Sequence, residues 1–331
     1  MQFIEQELKD VKQRCTEKVE GSEVEACVSA MVRVRIRRTK FKDVTVCLQF
    51  PKDYPNRPLV VELKSKTLPD KLLDGLSRLC EKECAEKHLG REQVLLTLKF
   101  VRTFIDENPL CVCSDEISRT KRMLSDGDDC KLKQKSGLVL LRACQGLYFI
   151  DVKLSLPDTY PEEQVGVELR GSNFPKLFNR IFMGNAIEIA RRCVEPPIKK
   201  RPKDPPFVPQ KSLLPVTKYL INDCVKYCAT QVCALCKKAC FPDDPKNVEK
   251  GELEYNYAEK VYCGHLFHYG CMDAYMKIPP FQGGKQCPNA DCKKRIYHNK
   301  WRATPEVAEA RWAHAQAKDR ELAEVVDFLV D

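Results

Sequence analysis

The chain has 331 residues, 43% hydrophobic and 31% charged, with a formal net charge of +9. That is enough apolar material for two or three folded domains, and the composition excludes a disordered chain. The absence of any run of about 18 apolar residues argues against a membrane span, while nineteen cysteines in a chain without a secretory-type N-terminus read as reduced thiols and metal ligands, in a cytoplasmic or nuclear setting.

Residues 2–20 space Phe3, Ile4, Leu8 and Val11 at helical intervals, with charges between them. After Gly21-Ser22 the period becomes two. Val32, Val34 and Ile36 alternate with Arg33, Arg35 and Arg37, which predicts a half-buried strand with a basic outer face. With Arg38, Lys40 and Lys42, these arginines are what would suggest a nucleic-acid partner. Charges that alternate along a strand are instead read as a solvated face, so no nucleic acid is expected. A second strand, Val44 to Phe50, leads into Phe50-Pro-Lys-Asp-Tyr-Pro-Asn-Arg-Pro58 and an apolar strand, Leu59 to Leu63. A helix is predicted from Pro69 to His88, stopped at Leu89-Gly90. Another runs from Glu92 to Asn108 and stops before Pro109.

The same order then begins again. Residues 44–63, VTVCLQFPKDYPNRPLVVEL, align without gaps on residues 150–169, IDVKLSLPDTYPEEQVGVEL, so Tyr54-Pro55 falls on Tyr160-Pro161. Leu72, Leu76 and Cys84 fall on Phe178, Phe182 and Ala190, and Phe104-Ile105 matches Leu220-Ile221 once ten residues are inserted. The insert is the basic, proline-rich stretch 195–211, expected as an exposed extended loop.

Eight ligand-type residues follow: Cys233 and Cys236; Cys263, His265, His268 and Cys271; then Cys287 and Cys292. Zinc takes four tetrahedral sulfur or nitrogen ligands, and short Cys pairs set two thiolates on one knuckle without strain. Cys263 and His265 cannot easily close on their immediate neighbours. They would pair with Cys287 and Cys292, while His268 and Cys271 reach back to Cys233 and Cys236. Two structural Zn2+ ions are expected. Another cross-braced or tandem zinc module fits the same residues, and buried packing cysteines are the plainest alternative. Beyond Cys292, Thr304-Pro305-Glu306 opens a helix with an N-cap, a first-turn proline and an acid at the positive end of the dipole. Its Val307, Trp312, Leu322, Val325, Val326 and Leu329 suit packing on the zinc module or on a partner, and of the two, packing within the protein is expected. His298 and His314, without a partner at ligand spacing, are expected on the surface.

Two resemblances add to this reading. The order of the eight ligands resembles the RING finger in its His-His form. On that resemblance Leu235, between the first two cysteines, Tyr275, four residues after Cys271, and Pro288, after Cys287, would form the platform for a ubiquitin-charged conjugating enzyme. Lys293, after Cys292, would touch both enzyme and ubiquitin. The chain departs from the family in having Tyr275 where Trp is usual, and four residues rather than two between Cys287 and Cys292. Each N-terminal repeat resembles the RWD domain, a protein-binding relative of the ubiquitin-conjugating fold, through Tyr54-Pro55…Pro58 and Tyr160-Pro161. The His-Pro-Asn and nearby nucleophilic Cys of active conjugating enzymes are missing. Cys80 and Cys193 are read as core thiols, and no covalent nucleophile is assigned.

The fold class expected is α+β: two tandem RWD-like domains, at 1–112 and 113–228, a cross-braced two-zinc RING finger at 229–300, and a C-terminal helix at 301–331. The layout resembles RWD–RING ubiquitin ligases, the family of the Fanconi anaemia ligase subunit. The resemblance implies a ubiquitin-protein ligase whose partners are a conjugating enzyme, ubiquitin, and a substrate or partner subunit held by the RWD domains. A non-catalytic, zinc-stabilised scaffold is the alternative.

Overall fold

The computed structural model describes residues 2–197 and 206–330 and divides the chain into two compact units. The first holds residues up to Ala143 together with 150–172 and 179–221; the second holds 144–149, 173–178 and everything from Asn222 onward.

The first unit opens with helix α1 (Gln2–Lys18) and a meander of antiparallel strands: β1 (Ser22–Val28), β2 (Met31–Thr39), β3 (Lys42–Gln49) and β4 (Val60–Lys64), paired in that order. Helices α2 (Asp70–Lys87) and α3 (Val94–Glu107) follow. The alternation in β2 does what it predicts: Val32, Val34 and Ile36 are fully buried and Arg33 and Arg37 are exposed. Much of the basic face is neutralised locally. Arg35 and Arg37 share Asp43, Arg38 meets Asp106 at 3.2 Å, Lys40 meets Glu162 at 2.7 Å and Lys42 meets Asp158 at 3.2 Å. Strand β1 escaped the sequence reading because a bulge between Val24 and Ala26 breaks its two-residue period.

Helix α1 buries a face that its apolar residues mark only in part, with Ile4 and Leu8 half-buried. Glu7, Val11 and Cys15 are the buried positions, while Phe3 is exposed. The Glu7 carboxylate accepts from the Tyr54 hydroxyl and from the backbone N–H of Val94 at 2.6 Å. The same hydroxyl accepts from the N–H of Gln93 at 3.2 Å, and the Gln93 side-chain oxygen accepts from the N–H of Leu59 at 3.0 Å. Two of the unpaired N–H groups that open α3, those of Gln93 and Val94, are therefore satisfied by the Tyr-Pro loop and α1 rather than by an N-cap side chain.

The second repeat rebuilds this arrangement. Helix α4 (Ser114–Met123) precedes strands β5 (Asp129–Lys133), β6 (Leu138–Gln145), β7 (Tyr148–Ser155) and β8 (Gly166–Ser172), again paired in chain order, and helix α5 (Lys176–Val194) follows. The chain then runs through α6 (Leu213–Lys218), a π-helical stretch at Tyr219–Lys226 and α7 (Tyr227–Thr230). Glu116 accepts from the Tyr160 hydroxyl at 2.6 Å and from the N–H of Leu214 at 2.8 Å. The hydroxyl accepts from Ser212 and Leu213, and Ser212 Oγ accepts from the N–H of Val165. Both Tyr-Pro peptides are cis. Buried Leu76, Cys80 and Cys84 stand where buried Phe182, Ala186 and Ala190 stand.

Ser212 thus takes the place of Gln93, which puts the sequence match of Phe104-Ile105 to Leu220-Ile221 out of register by about one helical turn. Sliding an amphipathic helix by one turn preserves its apolar face, so pattern alone could not place the gap. Of the insert at 195–211, residues 198–205 lie outside the described residues; Pro206 and Val208–Gln210 are exposed and free of helix and strand.

The twin networks carry a testable cost. Burial raises the carboxyl groups of Glu7 and Glu116 above the usual value of 4.5, against the lowering effect of their hydrogen bonds. A raised acid favours the folded state most below its unfolded pKa and loses that contribution as pH rises through the folded one. Glu7→Gln and Glu116→Gln should therefore flatten the decline of stability between the unfolded pKa and the raised folded one, followed by denaturant unfolding across pH. Tyr54→Phe or Tyr160→Phe should each destabilise by roughly 1.5–3 kcal/mol, because a buried carboxylate loses a donor.

In the second unit, Phe241 packs against Tyr148, Phe174 and Phe178 at centroid distances of 5.1–5.7 Å, and the Tyr148 hydroxyl donates to the Pro242 carbonyl at 2.8 Å. A hairpin of β9 (Ala258–Lys260) and β10 (Leu266–His268) leads into helix α8 (Tyr269–Met276), and helix α9 (Pro305–Val330) ends the unit. Helix α9 starts where the sequence predicts, with Thr304 as cap. Its packing differs from expectation. Trp312 lies 6.4 Å from the Phe281 ring, but every described position from Ala313 onward is exposed, Leu322, Val325, Val326 and Leu329 among them.

Candidate metal centres

Three local devices present the eight ligands. In the first loop Lys237 adopts a left-handed φ of 62°. Its N–H closes on Cys233 O at 2.8 Å while the N–H of Cys233 meets Lys238 O at 2.9 Å. This knuckle turns the thiols of Cys233 and Cys236 to one side. In the second loop the N–H of Cys287 meets Lys294 O at 2.9 Å, and the N–H of Cys292 meets Asn289 O at 3.0 Å. That extra turn accommodates the longer spacing between Cys287 and Cys292. Between the loops, the β9–β10 hairpin carries Cys263 and His265 in its tight end, where Gly264 takes a φ of 97°.

Strand geometry then dictates how the ligands divide. His265 and His268 are three residues apart along an extended β10, or about 10 Å, so one small ion cannot hold both. The structure gathers Cys233, Cys236, His268 and Cys271 into one group, and Cys263, His265, Cys287 and Cys292 into another. In each group all ligand atoms lie within 4.8 Å of one another, which suits a tetrahedral ion with metal–sulfur bonds of about 2.3 Å. The groups alternate along the chain and so brace each other. Both could hold a metal ion.

The environment fits a cation. Nδ1 of His268 faces Cys236 Sγ at 3.2 Å and Cys271 Sγ at 3.9 Å, while its Nε2–H donates to the Ala239 carbonyl at 3.0 Å. That bond fixes the tautomer and leaves Nδ1 free to ligate. His265 likewise turns Nδ1 toward Cys263 at 3.3 Å and Cys287 at 3.5 Å. Burial pushes the Cys233 thiol up, but the hydrogen bond to His268 and the backbone N–H groups of Cys236, His268 and Leu235 bring it down to about 6. His268 rises to about 9 through its bond to Cys233, against the effect of burial. Burial raises Cys271 to about 11 and Cys287 to about 12, with neighbouring cysteines adding to the rise. The raised thiols of Cys271 and Cys287 need a positive charge nearby to ionise, which a divalent ion supplies.

The expected platform residues are placed as follows. Leu235 and Pro288 are half-buried, and Lys293 is exposed. Tyr275 lies on α8, half-buried, with its hydroxyl donating to Gln286 O at 3.0 Å and Lys285 Nζ 4.6 Å from its ring centroid. The phenol thus ties α8 to the second metal loop, a role that tryptophan's ring N–H would have to fill from a different position. Sequence reasoning missed a second anchor. His298, expected on the surface, is half-buried and meets Glu259 at 3.1 Å. Glu259 is 3% exposed and also binds Lys300 at 2.5 Å. Trp301 stacks on Tyr269 and donates to Asp273. This clamp holds the segment after the last ligand against the hairpin, and a Glu two residues after Tyr257 gave no spacing signal for it.

The thiols of the first unit are of another kind. Burial raises Cys80 to about 12 and also raises Cys84 and Cys193. None has the depressed pKa of a nucleophile.

A search of curated proteins finds no match to the chain. Comparison with protein-family models matches residues 4–105 to the RWD domain. That segment contains the Glu7–Tyr54–Gln93 network, whose counterpart the second repeat carries at Glu116, Tyr160 and Ser212. Among the described residues, no helix is long and apolar enough to cross a membrane. The chain thus carries an RWD domain at residues 4–105, a fold of protein interaction in ubiquitin-related pathways, and a module with two sites able to hold metal.

Proposed function

We propose that the protein is a RING-type ubiquitin-protein ligase in which two RWD-like domains bind substrate or a partner subunit. The layout is similar to that of the Fanconi anaemia ligase subunit. The observation that carries the reading is the interleaving of the two Cys3His groups within one short module, beside an RWD domain. Zinc is the metal proposed, because three thiolates and one imidazole at tetrahedral spacing suit it and leave no open position for water. Its contribution would be structural. Leu235, Tyr275 and Pro288 would seat a conjugating enzyme that carries ubiquitin on its own cysteine, and Lys293 would meet enzyme and ubiquitin at the rim.

Catalysis in this reading is positioning. Holding the thioester and an acceptor lysine in an attack-ready arrangement lowers the barrier without a covalent intermediate on the ligase; well-oriented systems gain up to about 7–11 kcal/mol this way. Autoubiquitination with a panel of conjugating enzymes tests the reading. Product with at least one of them supports it, whereas a chain that retains metal but transfers with none supports the scaffold. Because the first unit would only bind, Cys80→Ala, Cys84→Ala and Cys193→Ala should leave transfer largely intact. A ubiquitin thioester trapped on any of the three would contradict that assignment.

A further inference from the structure

A cavity in the second unit, of about 1020 Å³, is a groove bounded by α8, the loop after it, residues 296–303 and the first three turns of α9. Its floor is apolar, formed by Met276, Ile278, Phe281, Trp301 and Trp312. Its cations are not equally engaged. Lys277 pairs with Asp273, and Lys300 with Glu252 and Glu259. Arg302 meets the amide oxygen of Asn299, and neither Arg302 nor Arg311 has a carboxylate partner among the described residues. The groove is therefore an apolar channel with a positive rim.

The complementary surface lies on the same helix. Ala308, Trp312 and Ala315 of α9 line the groove. Continued at alternating steps of four and three, that stripe passes Asp319 and reaches Leu322, Val326 and Leu329, all 54–74% exposed. The segment 321–329 carries Glu321, Glu324 and Asp327 and no cation. It cannot fill its own groove, because α9 is one unbroken helix of 26 residues, about 39 Å long, whose start forms the groove wall and whose end projects beyond it.

We propose that the groove receives residues 321–329 of a second copy of this chain, giving an antiparallel, two-fold dimer through α9. Each copy would then offer one groove and one acidic, apolar tail, so a single pairing is made twice and closes on itself. Leu322, Val326 and Leu329 would meet the Trp312 and Phe281 face, and the three carboxylates would neutralise the Arg302 and Arg311 rim. The assembly is independent of whether the metal module recruits a conjugating enzyme.

Sedimentation of the full chain over a dilution series, with two charge-reversed variants, tests this. The groove variant is Arg302→Glu with Arg311→Glu; the tail variant is Glu321→Lys with Glu324→Lys and Asp327→Lys. All five positions are exposed, so folding should survive, and circular dichroism checks it. The wild-type chain should dimerise, and each variant alone should dimerise at least about tenfold more weakly, since both of its contacts become like-charged. An equimolar mixture of the two variants should restore a dimer, because both contacts are then complementary. A wild-type chain that stays monomeric at every concentration, leaving the groove to some other protein, would overturn the proposal. So would a dimer indifferent to both variants, or variants that fail to pair when mixed.

Discussion

Replacing Cys263 by alanine should empty both metal sites, although Cys263 belongs to one. The hairpin end that holds Cys263 and His265 is joined through the three residues of β10 to His268 and Cys271 of the other group. With its ion gone, the second site leaves the Cys287–Cys292 loop unanchored and the hairpin free to open. Structural zinc contributes on the order of 10–16 kcal/mol to small domains. Native mass spectrometry of the wild-type chain should show two ions, and the variant none. A variant that keeps one ion at Cys233, Cys236, His268 and Cys271 would mean the two groups fold independently and that cross-bracing has been misread.

Leu235→Ala should do the opposite: retain both ions and lose ubiquitin transfer. Leu235 sits between two ligands, its backbone N–H engaged with the Cys233 sulfur, so the knuckle holds the side chain in place and alanine leaves the loop unchanged. Shallow apolar contacts concentrate their energy in a few central anchors, and losing one costs about 2 kcal/mol or more, a fall in transfer of tenfold or more. Metal content and unfolding should match wild type. A variant that unfolds would make Leu235 a packing residue.

The grouping of the eight ligand-type residues was the most legible part of the chain, because ligand chemistry restricts spacing tightly and residue types are few. The gapless repeat was legible too, as Tyr-Pro and the strands around it are local signals. What escaped were contacts between residues remote in sequence. Nothing local marks Glu7 as a core residue; its role exists only because Tyr54 and the start of α3 converge on it. Glu259 is the same case, a carboxylate buried between His298 and Lys300. Helix α9 failed in the other direction. Its apolar periodicity was read correctly, but periodicity reports a face to be covered, not which chain covers it.

The most direct test is single-turnover discharge of a purified, ubiquitin-charged conjugating enzyme onto free lysine, with full-length protein and no other substrate. Free lysine removes the RWD-bound substrate from the question and leaves positioning alone. The account predicts that catalytic amounts of the wild-type chain accelerate loss of the thioester, that Leu235→Ala with both ions retained does not, and that Cys80→Ala and Cys193→Ala behave as wild type. Metal-loaded, folded wild-type protein that leaves the thioester lifetime unchanged with every conjugating enzyme tried would contradict it.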